Sequence, residues 1–188
     1  AKEFEGRVQK AWKDLRERYD ELFHEFTKMD EKALIAKWIR PLFQNLGFEL
    51  THTSRKIEIS DKIRFAFSHR GWFDSPGLPK APVVHIVPFG TDLDKRPEPR
   101  HPGPHDAVQD YLNQHDDDLW AIVTNGQVIR ILRNFHHTTV KGYVEFDLEG
   151  IFLTRSFPDF MALYRFCHAS RFGPNPETGT LYLEEYYE

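Results

Sequence analysis

Asp92-Leu93-Asp94-Lys95-Arg96 packs two acids and two bases into five residues. Such a cluster can position a substrate or a partner domain. The competing reading, a turn whose charges satisfy one another, weighs more. A second cluster comprises Arg55, Lys56, Lys62, Arg64 and Arg70. Lys62 and Arg64 stand two apart, hence on one face of a strand. Such a face can contact phosphates; the solvated outer face of an edge hairpin explains it equally well. Arg130 and Arg133 point to opposite sides of their strand, so a single patch takes at most one of them.

The chain has ten histidines. His101 and His105 have the four-residue spacing of a helical metal pair, but Pro102 and Pro104 prevent a regular helix between them. His115 precedes Asp116-Asp117-Asp118, which lacks the alternating ligands and glycine of a calcium loop. His136-His137 reads as a loop. Asp30-Glu31-Lys32 opens a helix, so Asp30 is a cap. Cys167 lies in the apolar run from Met161 to Cys167 and reads as a buried small hydrophobe. A lone cysteine forms no internal disulfide, which makes the cytoplasm the expected compartment.

These residues need elements to hold them. Residues 4–27 read as a helix with the stripe Val8, Leu15, Leu22, Phe23 and Phe26. A second helix spans 31–46, kinked at Pro41 and followed by Gly47 as its C′ residue. The period then changes. Residues 48–51 form a strand, and 57–59 with 63–67 form an antiparallel hairpin. Residues 71–82 form a Gly/Pro loop. Val83–Val87 is almost wholly apolar, as in a central strand. Residues 88–104 are irregular and hold five prolines. A helix at 105–114 leads to a strand at 119–123. Asn125-Gly126 then predicts a type I′ hairpin into 128–132. A strand at 143–147, a helix at 157–170 and an irregular tail complete the pattern. The class is α/β, a mixed central sheet with flanking helices. We divide it into a helical segment packing on the core (1–46), the α/β core (47–172) and a tail (173–188).

Net charge is −4, which argues against an autonomous, sequence-independent DNA binder. The balance is uneven: residues 1–72 carry 15 Lys/Arg against 12 Asp/Glu. No apolar run approaches the roughly 18–20 residues of a bilayer span, so a soluble chain with no membrane partner is expected.

Three stretches carry a resemblance: Pro82–Arg96, Pro104–Asn134, and Tyr143–Phe152 with His168–Phe172 after it. Together they resemble the N-terminal region of large single-chain restriction–modification adenine methyltransferases, including those of phage-defence islands. The strand and Thr124-Asn125-Gly126…Arg130 hairpin also resemble the nuclease domains of restriction enzymes. The resemblance implies a restriction-endonuclease-like core: a helix, a three-strand meander, a helix and a further strand. It implies double-stranded DNA and other domains or subunits of the system as partners. It also implies that 173–188 leads to a methyltransferase domain that would bind SAM. The Asn-Pro-Pro-aromatic loop of such enzymes has only Asn175-Pro176-Glu177-Thr178 as its nearest match here.

In those nucleases an Asp and a Glu-x-Lys on adjoining strands hold Mg²⁺ and activate water. Here His85 and Val87 fall where Glu-x-Lys would sit, and Phe65–Ser68 where the Asp would. The expectation is a cleavage-inactive, nuclease-like module with no metal and no cofactor of its own. It would help a methyltransferase engage DNA through Arg55, Lys56, Lys62, Arg64, Arg70, Lys95 and Arg96. Two alternatives stay open. One is an active Mg²⁺ nuclease with relocated ligands such as Asp61, Asp92 or Asp94. The other is a protein–protein module whose acidic second half faces a basic partner.

Overall fold

The computed structural model describes residues 2–53, 57–60, 63–74, 81–134 and 142–187. Helix α1 (Lys2–Leu22) buries Val8, Ala11, Leu15, Tyr19 and Leu22 along one stripe, the i, i+3, i+4 pattern of an amphipathic helix. It stops before the expected Phe26, which is buried in a short 3₁₀ turn. Phe23 is 39% exposed and leaves the stripe.

Asp30 caps α2 (Glu31–Leu34) by accepting the Ala33 N–H at 2.7 Å, as expected. A π-helical turn, Ile35–Ile39, then joins α2 to α3 (Arg40–Asn45). Pro41 has no N–H for the Lys37 carbonyl four residues back, and its ring crowds that carbonyl. The wider turn relieves the crowding. Arg18 on α1 reaches the same carbonyl at 3.2 Å, so the kink becomes a cross-link between helices. Gly47 ends α3 at φ +84°. The Phe48 N–H bonds the Phe43 carbonyl at 2.8 Å, a six-to-one closure that favours glycine at this position.

The strands are β1 (Glu49–His52), β2 (Ile57–Ser60), β3 (Ile63–Phe65), β4 (His69–Trp72), β5 (Val83–Ile86), β6 (Trp120–Thr124), β7 (Val128–Arg133) and β8 (Tyr143–Asp147). Six form one mixed sheet in the order β1-β4-β5-β6-β7-β8. Only the β5–β6 pairing is parallel; the other four are antiparallel. Helix α4 (Pro104–Gln114) makes the crossover that a parallel pair requires. The expected hairpin forms as β2–β3, but as a separate two-stranded sheet. Its place beside β5 belongs to β4, part of which the sequence reading assigned to a loop. Gly71 explains both the error and the strand. Its φ is ordinary, but a Cβ there would lie 2.9 Å from Phe48 Cδ1. The position is glycine so that Phe48 can lie on the backbone.

The hairpin after β6 forms, though not as a type I′ turn. Among its described residues positive φ occurs at Gly126 alone. Asn125 instead turns the chain with its side chain, accepting the Gln127 and Val128 N–H groups at 2.9 Å each.

Side chains alternate across the sheet. Leu50, Val84, Ile86, Ile122, Ile129 and Ile131 join the core formed with α1, α3, α5 (Leu148–Leu153) and α6 (Phe157–Cys167). Val83, Val87, Ala121, Val123 and Leu132 face the opposite way, toward Val108, Tyr111 and Leu112 of α4. The fold is therefore α/β with helices on both faces of a mixed sheet. The N-terminal helices share the first core rather than standing apart. The tail is not irregular throughout: α7 (Tyr182–Glu185) folds back and buries Leu183 to 3% exposure. No described helix is long and apolar enough to cross a membrane.

Candidate functional site: the cleft beyond β5

The central strand β5 ends against a cleft of about 450 Å³. Its floor is His85 and Val87, its near wall Phe65 and Ala66, and its far wall the loop 88–103 with the first turn of α4. Alternation along β5 puts Val84 and Ile86 into the helical core and turns His85 the other way. The His85 ring meets Phe65 edge to face, with centroids 4.9 Å apart. Its Nδ1 is buried with no hydrogen-bond partner among the described residues. Burial, and then the neighbouring His69, push the His85 pKa down to about 4. The imidazole is therefore neutral at pH 7.

Ser68 shapes the same strand end. Its hydroxyl accepts the Ile86 N–H at 2.9 Å and donates to the Val84 carbonyl at 3.3 Å. A side chain thus supplies the partner that β4 would otherwise offer from its backbone. His69 bonds the same hydroxyl through Nδ1 at 2.8 Å. Burial, then His52 and Arg40, hold its pKa at about 4.

The far wall is a loop held at several points. Leu93 is buried in the α4-side core, and its carbonyl accepts the His105 N–H at 2.9 Å. Asn125 Nδ2 donates to the Thr91 carbonyl at 2.8 Å. Arg130 grips Asp94 with two bonds, 3.0 and 2.9 Å, and also reaches Glu145 and His105. The Arg130 side chain is only 8% exposed, and Tyr143 lies 4.4 Å from it, ring centroid to guanidinium. The walls beyond are mostly proline: Pro88, Pro97, Pro102 and Pro104. Glu98 and His101 supply a polar rim, paired at 3.0 Å and exposed.

This geometry sorts the candidates. Asp92 caps its own turn, accepting the Asp94 N–H at 2.9 Å. Asp94 pairs with Arg130 of β7, so at least one charge of this loop is met from outside the turn. Lys95 and Arg96 are exposed. Arg70 does not belong to a basic face: its guanidinium holds Asp118 at 2.9 and 3.1 Å. Tyr111 donates to the same carboxylate at 2.6 Å. Asp61, Arg55, Lys56, Lys62, His136 and His137 lie outside the described residues, as does the Arg64 side chain. Cys167 is fully buried, and burial raises its thiol above the ordinary range.

His85 on β5 and Val87 just beyond its end are the motif positions, and they bring an imidazole and an isopropyl group. The nearest sequence acids, Asp92 and Asp94, are engaged as a turn cap and by Arg130. This donor set does not fit a Mg²⁺ ion held by paired carboxylates. Among the described residues no three His, Cys, Asp or Glu side chains are grouped to hold a metal. The sequence reading placed the loop after the central strand near a nuclease-type cleft but did not identify the apolar lining of that cleft. The only signal was the density of proline from 88 to 104, which rigidifies a wall without naming what it encloses.

No protein-family model, no curated protein and no solved structure matches this chain.

Proposed function

We propose that this chain is a nuclease-like, cleavage-inactive module of a restriction–modification DNA adenine methyltransferase, helping it engage double-stranded DNA. The observation that carries the reading is the occupancy of β5. Where cleavage needs an acid and a lysine, this strand and its end have His85 and Val87, at the floor of a mostly apolar cleft. The layout supports the same reading. A helical segment, the meander β1-β4-β5, the crossover α4 and the parallel β6 follow the order expected of a restriction-endonuclease-like core. Fold analogy alone does not establish function, so DNA contact must come from specific charges. Lys95 and Arg96 are exposed on the loop that walls the cleft, where phosphate contacts would anchor a duplex without reading its sequence.

The test is duplex binding and cleavage measured together, with Mg²⁺ or Mn²⁺, across a salt titration. Binding that weakens with salt and leaves the duplex intact is expected. Metal-dependent nicking would overturn the reading in favour of relocated ligands. A protein–protein module is the second reading. It draws on β8, an edge of the sheet that exposes Tyr143 and Val144 at 41% and 42%. No binding even at the lowest salt would favour it.

A further inference from the structure

We propose that Arg7, Lys10, Tyr164 and His168 form a binding site for a phosphoryl group. The site lies on the helical face of the sheet, opposite the β5 cleft. It is a pocket of about 390 Å³ between α1, the turn from α3 to β1, and the C-terminal end of α6.

The first observation is a pair of cations that make no ion pair among the described residues. Arg7 and Lys10 stand three apart on α1, hence on one face. Neither has an ion-pair or hydrogen-bond partner among the described residues, and both line the pocket. The second is Tyr164. It is only 3% exposed, yet its side chain lines the same pocket. No described residue takes up its hydroxyl in a hydrogen bond. Tyr164 thus brings to the pocket lining a hydroxyl that no described residue engages.

The third observation fixes a donor. His168 Nδ1 accepts the Ser170 N–H at 3.2 Å, so the neutral ring carries its proton on Nε2. Burial, then Arg7 and Arg171, push the His168 pKa down to about 4, which keeps the ring neutral at pH 7. Nε2 lies 3.1 Å from where a Cβ on Gly47 would stand, at the wall of the pocket. Two cations, a tyrosine and a neutral histidine thus line one concave site. A phosphoryl group, with several acceptor oxygens and more than one negative charge, matches that donor set. Asp14 is the single acid among the described lining residues, one turn beyond Lys10. It opposes an anion and therefore supplies a test of sign.

Phosphate on a small molecule and the 5′-phosphate of a nucleic-acid end present the same chemistry. Inorganic phosphate is the probe, titrated calorimetrically into the 188-residue chain at low ionic strength. Saturable binding is expected. Arg7→Gln changes an exposed side chain and should weaken it roughly tenfold or more. Tyr164→Phe should weaken it less, and Asp14→Asn should tighten it. No saturable heat, or equal affinity in Arg7→Gln and the parent chain, overturns the site. Equal or weaker binding in Asp14→Asn also counts against it. Competition then separates the sources. A 5′-phosphorylated duplex that displaces phosphate, where its 5′-hydroxyl twin does not, assigns the nucleic-acid end. Displacement by neither assigns a small phosphate-bearing molecule.

Discussion

Arg130 on β7 holds Asp94 through two hydrogen bonds of 3.0 and 2.9 Å across 36 positions of sequence. This fork-on-fork pairing fastens the wall of the cleft to the sheet. It also takes both Asp94 oxygens, the atoms a relocated metal site would need. The guanidinium is 8% exposed while Asp94 is 44% exposed, so the two ends of the pair respond differently to mutation.

Arg130→Met leaves two acids that can rehydrate, and should cost about 1–3 kcal/mol. Asp94→Asn leaves Arg130 its Glu145 partner, and should cost about 1 kcal/mol or less. Urea unfolding gives both values. Hydrogen exchange at Thr91 to Asp94 should accelerate in Arg130→Met. An unchanged midpoint in that variant would remove the clamp from the account.

Lys95 and Arg96 carry the phosphate contacts in the proposed DNA complex. The double variant Lys95→Gln/Arg96→Gln should bind duplex more weakly at every sequence tested. Its log–log salt slope should be shallower by about 1 for each lost contact. A slope equal to the parent's would place the DNA elsewhere.

One buried and two half-buried rings make the fold acid-sensitive. His69, His85 and His168 all bind protons more weakly in the folded chain, near 4 against an ordinary 6.5. The stability they carry is complete above pH 6.5 and drains as pH falls toward 4. At its steepest the loss approaches about 4 kcal/mol per pH unit, one proton for each ring. Denaturant unfolding from pH 7.5 to 4.5 measures it. His85→Leu removes one proton from that slope. It also relieves a buried unpaired nitrogen, so stability at pH 7 should rise by about 1 kcal/mol. A slope unaltered by His85→Leu would show that this ring takes up its proton as readily in the folded chain as in the unfolded one.

The C-terminal segment reports on itself. Glu184 takes three bonds from Arg133 and one from the Trp120 indole, the last at 2.6 Å. Glu184→Ala should release α7, shift tryptophan emission to the red and speed proteolysis after residue 173. The expected cost is about 1–3 kcal/mol. Unchanged emission together with unchanged proteolysis would show that Leu183 holds the segment without the carboxylate.

Local physics was legible along the chain. Hydrophobic period located α1, β5, β6, β7 and α6 to within a few residues. The Asp30 cap and the Gly47 terminus were readable because each depends on groups within a few positions. Pro41 marked a disturbed helix, though only the fold chose a π turn and supplied Arg18 to the freed carbonyl. The lone cysteine in an apolar run was also legible, and it is fully buried.

What the sequence determined by itself was therefore most of the periodic elements, the Asp30 and Gly47 helix ends and the α/β class. Tertiary structure alone decided β4, whose Gly71 becomes a strand residue because Phe48 packs on it. It alone sent Arg70 to Asp118, 48 positions away, and removed it from any basic face. It alone turned a proline-rich stretch into a cleft wall and folded Leu183 into the core. The reason is the range of the interactions. Caps and periods act between residues a few positions apart, so spacing reveals them. Charge partners and pockets depend on which faces the sheet order brings together, and that order is a property of the whole chain.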